Sequence, residues 1–267
     1  MDPGEYDRVF RLESRHFWYR GLHALLLRSL ERYAPTGVVL RILDAGCGTG
    51  GLMGRLGRRG AVTGLDLSPR ALSYAAARGE RQLVRGSVGQ LPFREASFDL
   101  VVSADVLYHR AVVDDEGALA ELRRVCRPGG FVFLNLPAHA WLAGDHDRAI
   151  HTARRYARRD LRRLAARTGL DVVRLSYFNC LLFPLAAAVR LATRRGQPRS
   201  DLRPLPRPLD ALLARVLEAE GRLLLRVPLP WGLSLFAVLR RAPRPTESVA
   251  RARAFGLGGS ARSGNAR

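Results

Sequence analysis

A chain of 267 residues, 47% of them apolar, is long enough for one α/β domain with an insertion. Its three cysteines are widely spaced, which argues against a disulfide framework or a C-x-x-C zinc site, and no apolar stretch reaches the roughly 18–20 residues of a membrane-spanning helix. Its 44 arginines, with no lysine, face only 24 acids; codon usage in a GC-rich bacterial genome explains arginine in place of lysine but not the net charge of +20, which points to an acidic partner or a solvated basic surface.

The first residues, Met1 to Glu5, are acidic and polar, unlike a signal peptide, and a cytoplasmic chain is expected. The run His16-Phe17-Trp18-Tyr19-Arg20-Gly21 leads into an apolar helix over 22–30. Residues 1–34 therefore form either a lid that closes aromatic faces over a cation or a helix packed on a sheet edge with Trp18 as its anchor. An apolar run at 38–42 is followed by Leu43-Asp44-Ala45-Gly46-Cys47-Gly48-Thr49-Gly50-Gly51 and a helical pattern over 52–59. That is a strand, a glycine turn and a helix, and alternate glycines let a ligand lie against bare peptide. The spacing G-x-G-x-G is not the G-x-G-x-x-G of dinucleotide folds.

A second strand, 61–67, ends in Asp66, 20 residues past Gly46, the offset at which an acid reaches a ribose. Ser68 then caps a helix that has Pro69 at its first position. Residues 82–93 read as a third strand and its loop, and 97–103 as a fourth strand. Residues 104–109 follow at the sheet's carboxyl edge, where open α/β sheets bind ligands. A helix over 119–126, stopped by Arg127-Pro128-Gly129-Gly130, precedes a fifth strand at 131–136.

The Asp44-to-Gly50 run resembles motif I of the class I S-adenosylmethionine-dependent methyltransferases, and residues 38–136 together look like the methyltransferase type 11 family. The resemblance implies an α/β fold: a Rossmann-like, seven-stranded, mostly parallel sheet with helices on both faces and its last strand antiparallel. It implies S-adenosyl-L-methionine as cofactor, held by Asp44, Gly46, Cys47, Gly48, Gly50, Asp66, Leu67, Ser87, Val88 and Ala104. Asp66 would take the ribose. Ser87 stands where most relatives carry an acid toward the adenine amino group.

In that topology a helix over 161–168, ended by Gly169, precedes strand six at 170–177, and the seventh strand falls at 232–241. The cofactor-binding core is then 35–177, and 178–231 is a helical insertion between strands six and seven. The tail, 242–267, lacks apolar periodicity and is expected to be disordered. The insertion carries an apolar piece at 181–191, a Pro/Arg loop at 197–208 and a helix at 209–227. That helix has Leu209, Leu212, Leu213, Val216, Leu217, Leu223, Leu224 and Val227 on one face. Either these faces cap the site as a lid, or they lie in a membrane interface and present a lipid-borne substrate. Residues 151–267 hold 24 arginines against 7 acids, while 1–150 hold 20 against 17. The C-terminal half is the part that would meet an anionic membrane or phosphates.

Residues 137–151 follow strand five and overhang the methyl-transfer site, with Arg154-Arg155-Tyr156 next, a pattern that some members of the family share. His109, His146 and His151 are the candidate bases for an accepting hydroxyl. The spacing of His146, Asp147 and His151 disfavours a metal, and none is expected. Ala157 stands where relatives place a Ser or Thr helix cap, which marks a mobile lid. The chain lacks the Asp/Asn-Pro-Pro-Tyr and Pro-Cys motifs of nucleic-acid base methylation.

The expected chemistry is in-line methyl transfer to oxygen or carbon of a small or lipid-linked acceptor, with peripheral contact at the inner face of the membrane. Two other readings stay open: an RNA methyltransferase that uses the basic half, and a non-catalytic fold that binds the cofactor. The sequence leaves oligomeric state and acceptor identity undetermined.

Overall fold

A computed structural model describes residues 3–192 and 202–243. The expected disorder of the tail falls almost wholly outside the described residues, as does the first part of the Pro/Arg loop. The side chains of Pro3, Asp145, His146 and residues 190–192 also fall outside them.

Seven strands form one sheet: β1 (Leu40–Ala45), β2 (Gly60–Asp66), β3 (Leu83–Arg85), β4 (Phe98–Ala104), β5 (Cys126–Pro137), β6 (Leu170–Phe178) and β7 (Ser234–Arg241). Their order is β3-β2-β1-β4-β5-β7-β6. The first five are parallel neighbours, and β7 runs antiparallel to both β5 and β6. The chain steps outward from β1 to β3 and returns at β4, so the crevice between the ends of β1 and β4 is the topological switch point. Helices cover both faces, so central strands are buried on both sides and read as continuous apolar runs. Ile42, Leu43, Leu100, Val101 and Val102 are all buried. Each face has its own core, one around Leu43, Val101 and Leu134, the other around Ile42, Val102 and Phe133.

The helices are α1 (Pro3–Leu12), α2 (Phe17–Tyr33), α3 (Met53–Leu56), α4 (Pro69–Ala77), α5 (Asp115–Val125), α6 (Asp145–Ala149), α7 (Arg158–Arg167), α8 (Phe183–Ala192) and α9 (Arg207–Leu224). Ser68 caps α4 as expected, accepting from Ala71 N at 3.3 Å. Several differences from the sequence reading have local causes. The helix after the glycine turn shrinks to four residues, because Gly54 and Gly57 weaken it. α5 starts four residues early on an Asp114 cap, which accepts from Gly117 N at 2.9 Å. The Arg127-to-Gly130 stop lies inside β5, whose Cys126 already pairs with Phe98 across a register shift. α7 lacks a side-chain N-cap at Ala157, but Asp160 accepts from Ala157 N at 3.0 Å and supplies half of a capping box.

The largest correction concerns α9. It buries Ala214, Leu217, Gly221 and Leu224 and leaves Leu209, Leu212 and Leu223 exposed, with Val227 exposed beyond its end. The buried face packs on α2, and glycine decides which face that is. A Cβ on Gly21 would lie 2.5 Å from Leu217 Cβ, so only a bare residue on α2 allows this close approach.

Candidate active site

Three of the four glycines of the β1–α3 turn, Gly46, Gly48 and Gly50, are bare for different reasons. All take positive φ: 94° at Gly46, 54° at Gly48 and 80° at Gly50. A Cβ at Gly46 would fall 2.2 Å from Val106 Cγ2, and one at Gly50 would fall 2.9 Å from Ala75 Cβ, so these two admit neighbouring protein. At Gly48 a Cβ would meet nothing within 4 Å, and the residue lines a cavity of about 1370 Å³. The Gly46 and Cys47 N–H groups donate to Leu65 O at 2.7 and 2.9 Å and pin the turn to β2.

Three carboxylates face this cavity from three strand ends. Asp66 accepts from Gly48 N at 2.9 Å and from Ser68 N at 2.8 Å, so it shapes the glycine turn as well as facing the cavity. Burial raises its pKa against those hydrogen bonds. Asp44 is buried at the end of β1; burial, with the nearby carboxylates of Glu13, Asp66 and Glu80, pushes it up to about 8. Asp105 follows β4 with φ 60°. It is clamped by Asn135, whose Nδ2 donates to Asp105 Oδ1 at 2.9 Å and whose carbonyl accepts from Asp105 N at 2.9 Å. Burial pushes it up to about 7. Such a group of half-neutralised carboxyls favours a cationic ligand, which restores their charge.

The wall over this cavity is composite. Glu13, just past α1, accepts from Thr49 Oγ1 at 2.5 Å and from Gly51 N at 3.1 Å. Arg78 at the end of α4 donates to Thr49 O and Phe10 O, both at 2.8 Å, and lies over the Phe10 ring. On the other side, Asp210 of α9 accepts from Phe17 N at 2.9 Å, and Leu202 packs with Val9 and Leu12. The N-terminal helices and the insertion thus meet above one cavity.

Of the ten residues expected to hold the cofactor, nine line that cavity; Gly50 is set back against α4. Leu67 is 52% exposed there and offers an apolar face. Ser87 Oγ already accepts from Gly89 N at 3.1 Å, so it braces its own loop.

Of the three histidines expected as bases, His109 lines the cavity; His16 and His23, not among them, line it too. Its Nδ1 accepts from Ala111 N at 3.1 Å, which puts the proton of the neutral ring on Nε2. Burial lowers its pKa to about 4. His109 is therefore oriented as a donor, against the expectation of a base. The ring of His151 lies 5.7 Å from that of His109, outside the cavity lining. His146 sits in α6, with its side chain outside the described set.

The Arg-Arg-Tyr pattern is structural. Arg155 pairs with Asp147 through Nε and Nη2, each at 2.9 Å, which commits that carboxylate. Arg154 pairs with Asp115 at 3.1 Å, and the Tyr156 hydroxyl donates to the same residue at 2.8 Å. Sequence reasoning missed Glu13 and Arg78 as turn ligands and Asp105 as a site carboxylate. Only Asp105 gave a signal, its place just after strand four.

Bare peptide at Gly48, a carboxylate ending β2, an apolar face at Leu67 and two more carboxyls beside the turn fit a nucleoside with a cationic tail. Residues 43–134 match a family model described as a methyltransferase domain. The ubiquinone biosynthesis O-methyltransferase of Methylocella silvestris is 36% identical over 140 residues, covering 50% of this chain and 52% of that protein. The Arabidopsis thaliana tRNA (carboxymethyluridine(34)-5-O)-methyltransferase is 36% identical over 119 residues, 44% of this chain and 28% of that one. The chain thus spans about half or less of the length of these relatives. A solved complex between the Haloferax volcanii Trm112 methyltransferase activator and a methyltransferase matches the fold with a TM-score of 0.58 at 21% identity, over 90% of this chain and 95% of that one.

Proposed function

We propose a specific chemistry for this chain, which belongs to the class I S-adenosylmethionine-dependent methyltransferases: methyl transfer to an oxygen or carbon of a small or lipid-linked acceptor. One observation carries the reading. A single cavity of about 1370 Å³ runs from the glycine turn past Asp105 and Tyr108 to the insertion. Ligand sites usually measure about 300–1,000 Å³, so this one has room for cofactor and acceptor side by side. The cofactor supplies an activated methyl group.

The chain's own residues then position it. Asp66 would accept from the ribose hydroxyls, Gly48 would present bare peptide, Ser87 and Val88 would border the adenine, and Asp44 and Asp105 would face the cationic end. Asp105, at the sheet edge with its pKa near neutrality, is placed to take a proton from an accepting hydroxyl. A carbon or already ionised acceptor needs only alignment and exclusion of water.

Exposed Leu209, Leu212, Leu223 and Val227 beside Arg215, Arg222 and Arg226 support peripheral contact with an anionic membrane at its cytoplasmic face. Among the described residues no helix is long and apolar enough to cross a membrane. The test is calorimetry of the full chain with S-adenosylmethionine and S-adenosylhomocysteine, beside flotation with anionic vesicles and a salt titration of RNA binding. Uptake of both adenosyl compounds and flotation is the expected result. RNA affinity falling steeply with salt, without flotation, would replace the acceptor class with RNA. Absence of cofactor uptake would leave only the fold.

A further inference from the structure

The cavity changes character along its length. Near the sheet it is bordered by Asp44, Asp66, Asp105 and Tyr108; toward the insertion it is aliphatic. Leu182, Leu185, Ala186 and Val189 line it at i, i+3, i+4 and i+7, one stripe along α8 and the residue that starts it. Ala186 N donates to Leu182 O at 3.0 Å, so the stripe begins in helical register, and it extends about 10 Å at the rise of an α-helix. Leu202, Leu205 and Leu213 also line this end, with Arg203 beside them. Leu185 and Val189 keep 70% and 54% of their surface exposed although they line a cavity.

The junction between the two regions is built with care. Asn179 takes φ 60° where β6 turns into α8. Buried Glu220 of α9 fixes that turn by accepting from Cys180 N at 2.8 Å and Leu181 N at 3.0 Å. Asn179 is 4% exposed and lines the cavity, yet its Oδ1 has no hydrogen-bond partner among the described residues. A buried amide oxygen left so is costly unless a ligand donates to it.

We propose that the insertion side of the cavity is a binding arm for an unbranched aliphatic chain, and that Asn179 Oδ1 accepts a hydrogen bond from the polar head of that chain. The ligand class is amphipathic: a hydroxyl or N–H at the neck, methylenes along α8, and the methylated atom beyond the neck near Asp105. The inference rests on the reading above that acceptor and cofactor share the cavity, and it narrows the acceptor to a chain-bearing molecule.

The experiment uses the full chain and two probes. Binding of cis-parinaric acid is followed by fluorescence and displaced by 1-hexanol, 1-octanol, 1-decanol and 1-dodecanol below their aggregation limits. S-Adenosylhomocysteine binding is measured in parallel by calorimetry. One parinarate per chain is expected, with alcohol affinity rising roughly three- to fourfold per methylene until the arm is full. Ala186→Trp fills the arm and should weaken parinarate at least tenfold while holding S-adenosylhomocysteine affinity within twofold, the latter showing that the variant is folded. Asn179→Leu should weaken the alcohols more than parent alkanes of the same length.

Alcohol affinity independent of chain length, or parinarate binding unchanged by Ala186→Trp, would overturn the arm even if the adenosyl ligand binds. Chain-length-dependent binding without adenosyl binding would keep the arm and remove the methyltransferase reading instead.

Discussion

Glu13 holds the Thr49 hydroxyl at 2.5 Å, so a residue just outside the first helix is bolted to the cofactor turn. The same oxygen accepts from Gly51 N at 3.1 Å and from Arg78 at 3.3 Å. Removing it takes the acceptor from the Thr49 hydroxyl and the Gly51 N–H and the counter-charge from Arg78. Glu13→Ala should lower stability by about 2 kcal/mol and weaken cofactor binding about tenfold as the turn loosens. Urea denaturation and calorimetry read the two effects, and an unchanged midpoint with unchanged affinity would detach α1 from the site.

Asp66 holds the turn through Gly48 N and Ser68 N and, in the proposed site, also takes the ribose. Asp66→Ala removes both and should weaken cofactor binding by about 2–4 kcal/mol, some 30- to 1000-fold. Asp66→Asn keeps an oxygen for Gly48 N and should lose less than the alanine variant. If both variants bind like the parent chain, Asp66 does not contact the ribose.

The carboxyls of Asp44 and Asp105 make a pH prediction with a definite sign. Folded, they titrate near about 8 and about 7; unfolded, near about 4. At these two groups the folded chain binds more protons than the unfolded one, so their contribution to stability falls as pH rises. Below about pH 6.5 the opposite sense comes from His23 and His109, which burial holds down to about 3 and about 4, and from His16 and His139, which burial also lowers. The ligand-free melting midpoint should therefore drop from about pH 7 to pH 8, and Asp44→Asn with Asp105→Asn should flatten that limb. A midpoint that rises from about pH 7 to pH 8 would contradict the assignment.

A bound cation should pull those protons off. S-Adenosylmethionine, with its sulfonium, should release about half to one proton at pH 7, and S-adenosylhomocysteine should release fewer. Calorimetry in buffers of different ionisation enthalpy measures the difference. Equal release by both ligands would place the sulfonium away from Asp44 and Asp105.

How much of this was legible in the sequence depends on the range of the interaction. Strand runs, the glycine turn and the Ser68-Pro69 cap are set within a few residues, and they lie where the sequence put them. Asp66 was legible because its offset from Gly46 is fixed by one β-α-β passage. Glu13 is 36 residues from Thr49, and Glu220 is 40 from Cys180; no periodicity announces such contacts. His109 shows the same limit at short range. Residue type marks His109 as a base, but the Ala111 N–H, two residues on, fixes its tautomer the other way.

The face of α9 was also illegible from hydrophobicity alone. Its leucines offer two apolar faces, and glycines select between them. Gly21 stands against Leu217, and Gly221 against Leu25, with a Cβ at Gly21 only 2.5 Å from Leu217 Cβ. Gly→Ala inside a helix ordinarily stabilises by about 0.5–1 kcal/mol. Here that gain meets an overpacking cost of about 1–3 kcal/mol, because the atom in the way is the Leu217 Cβ, which moves only with its backbone. Gly21→Ala should therefore destabilise the chain by about 1 kcal/mol, and Gly21→Val by more. Leu217→Ala keeps that Cβ and gives no such room, whereas Leu217→Gly removes it, so the loss caused by Leu217→Gly should be recovered in part by Gly21→Ala. A double-mutant cycle in urea tests this. A stabilising Gly21→Ala, or strict additivity of the pair, would mean that α9 does not pack on α2 through these residues, and the insertion would lose the contact that holds it over the cavity.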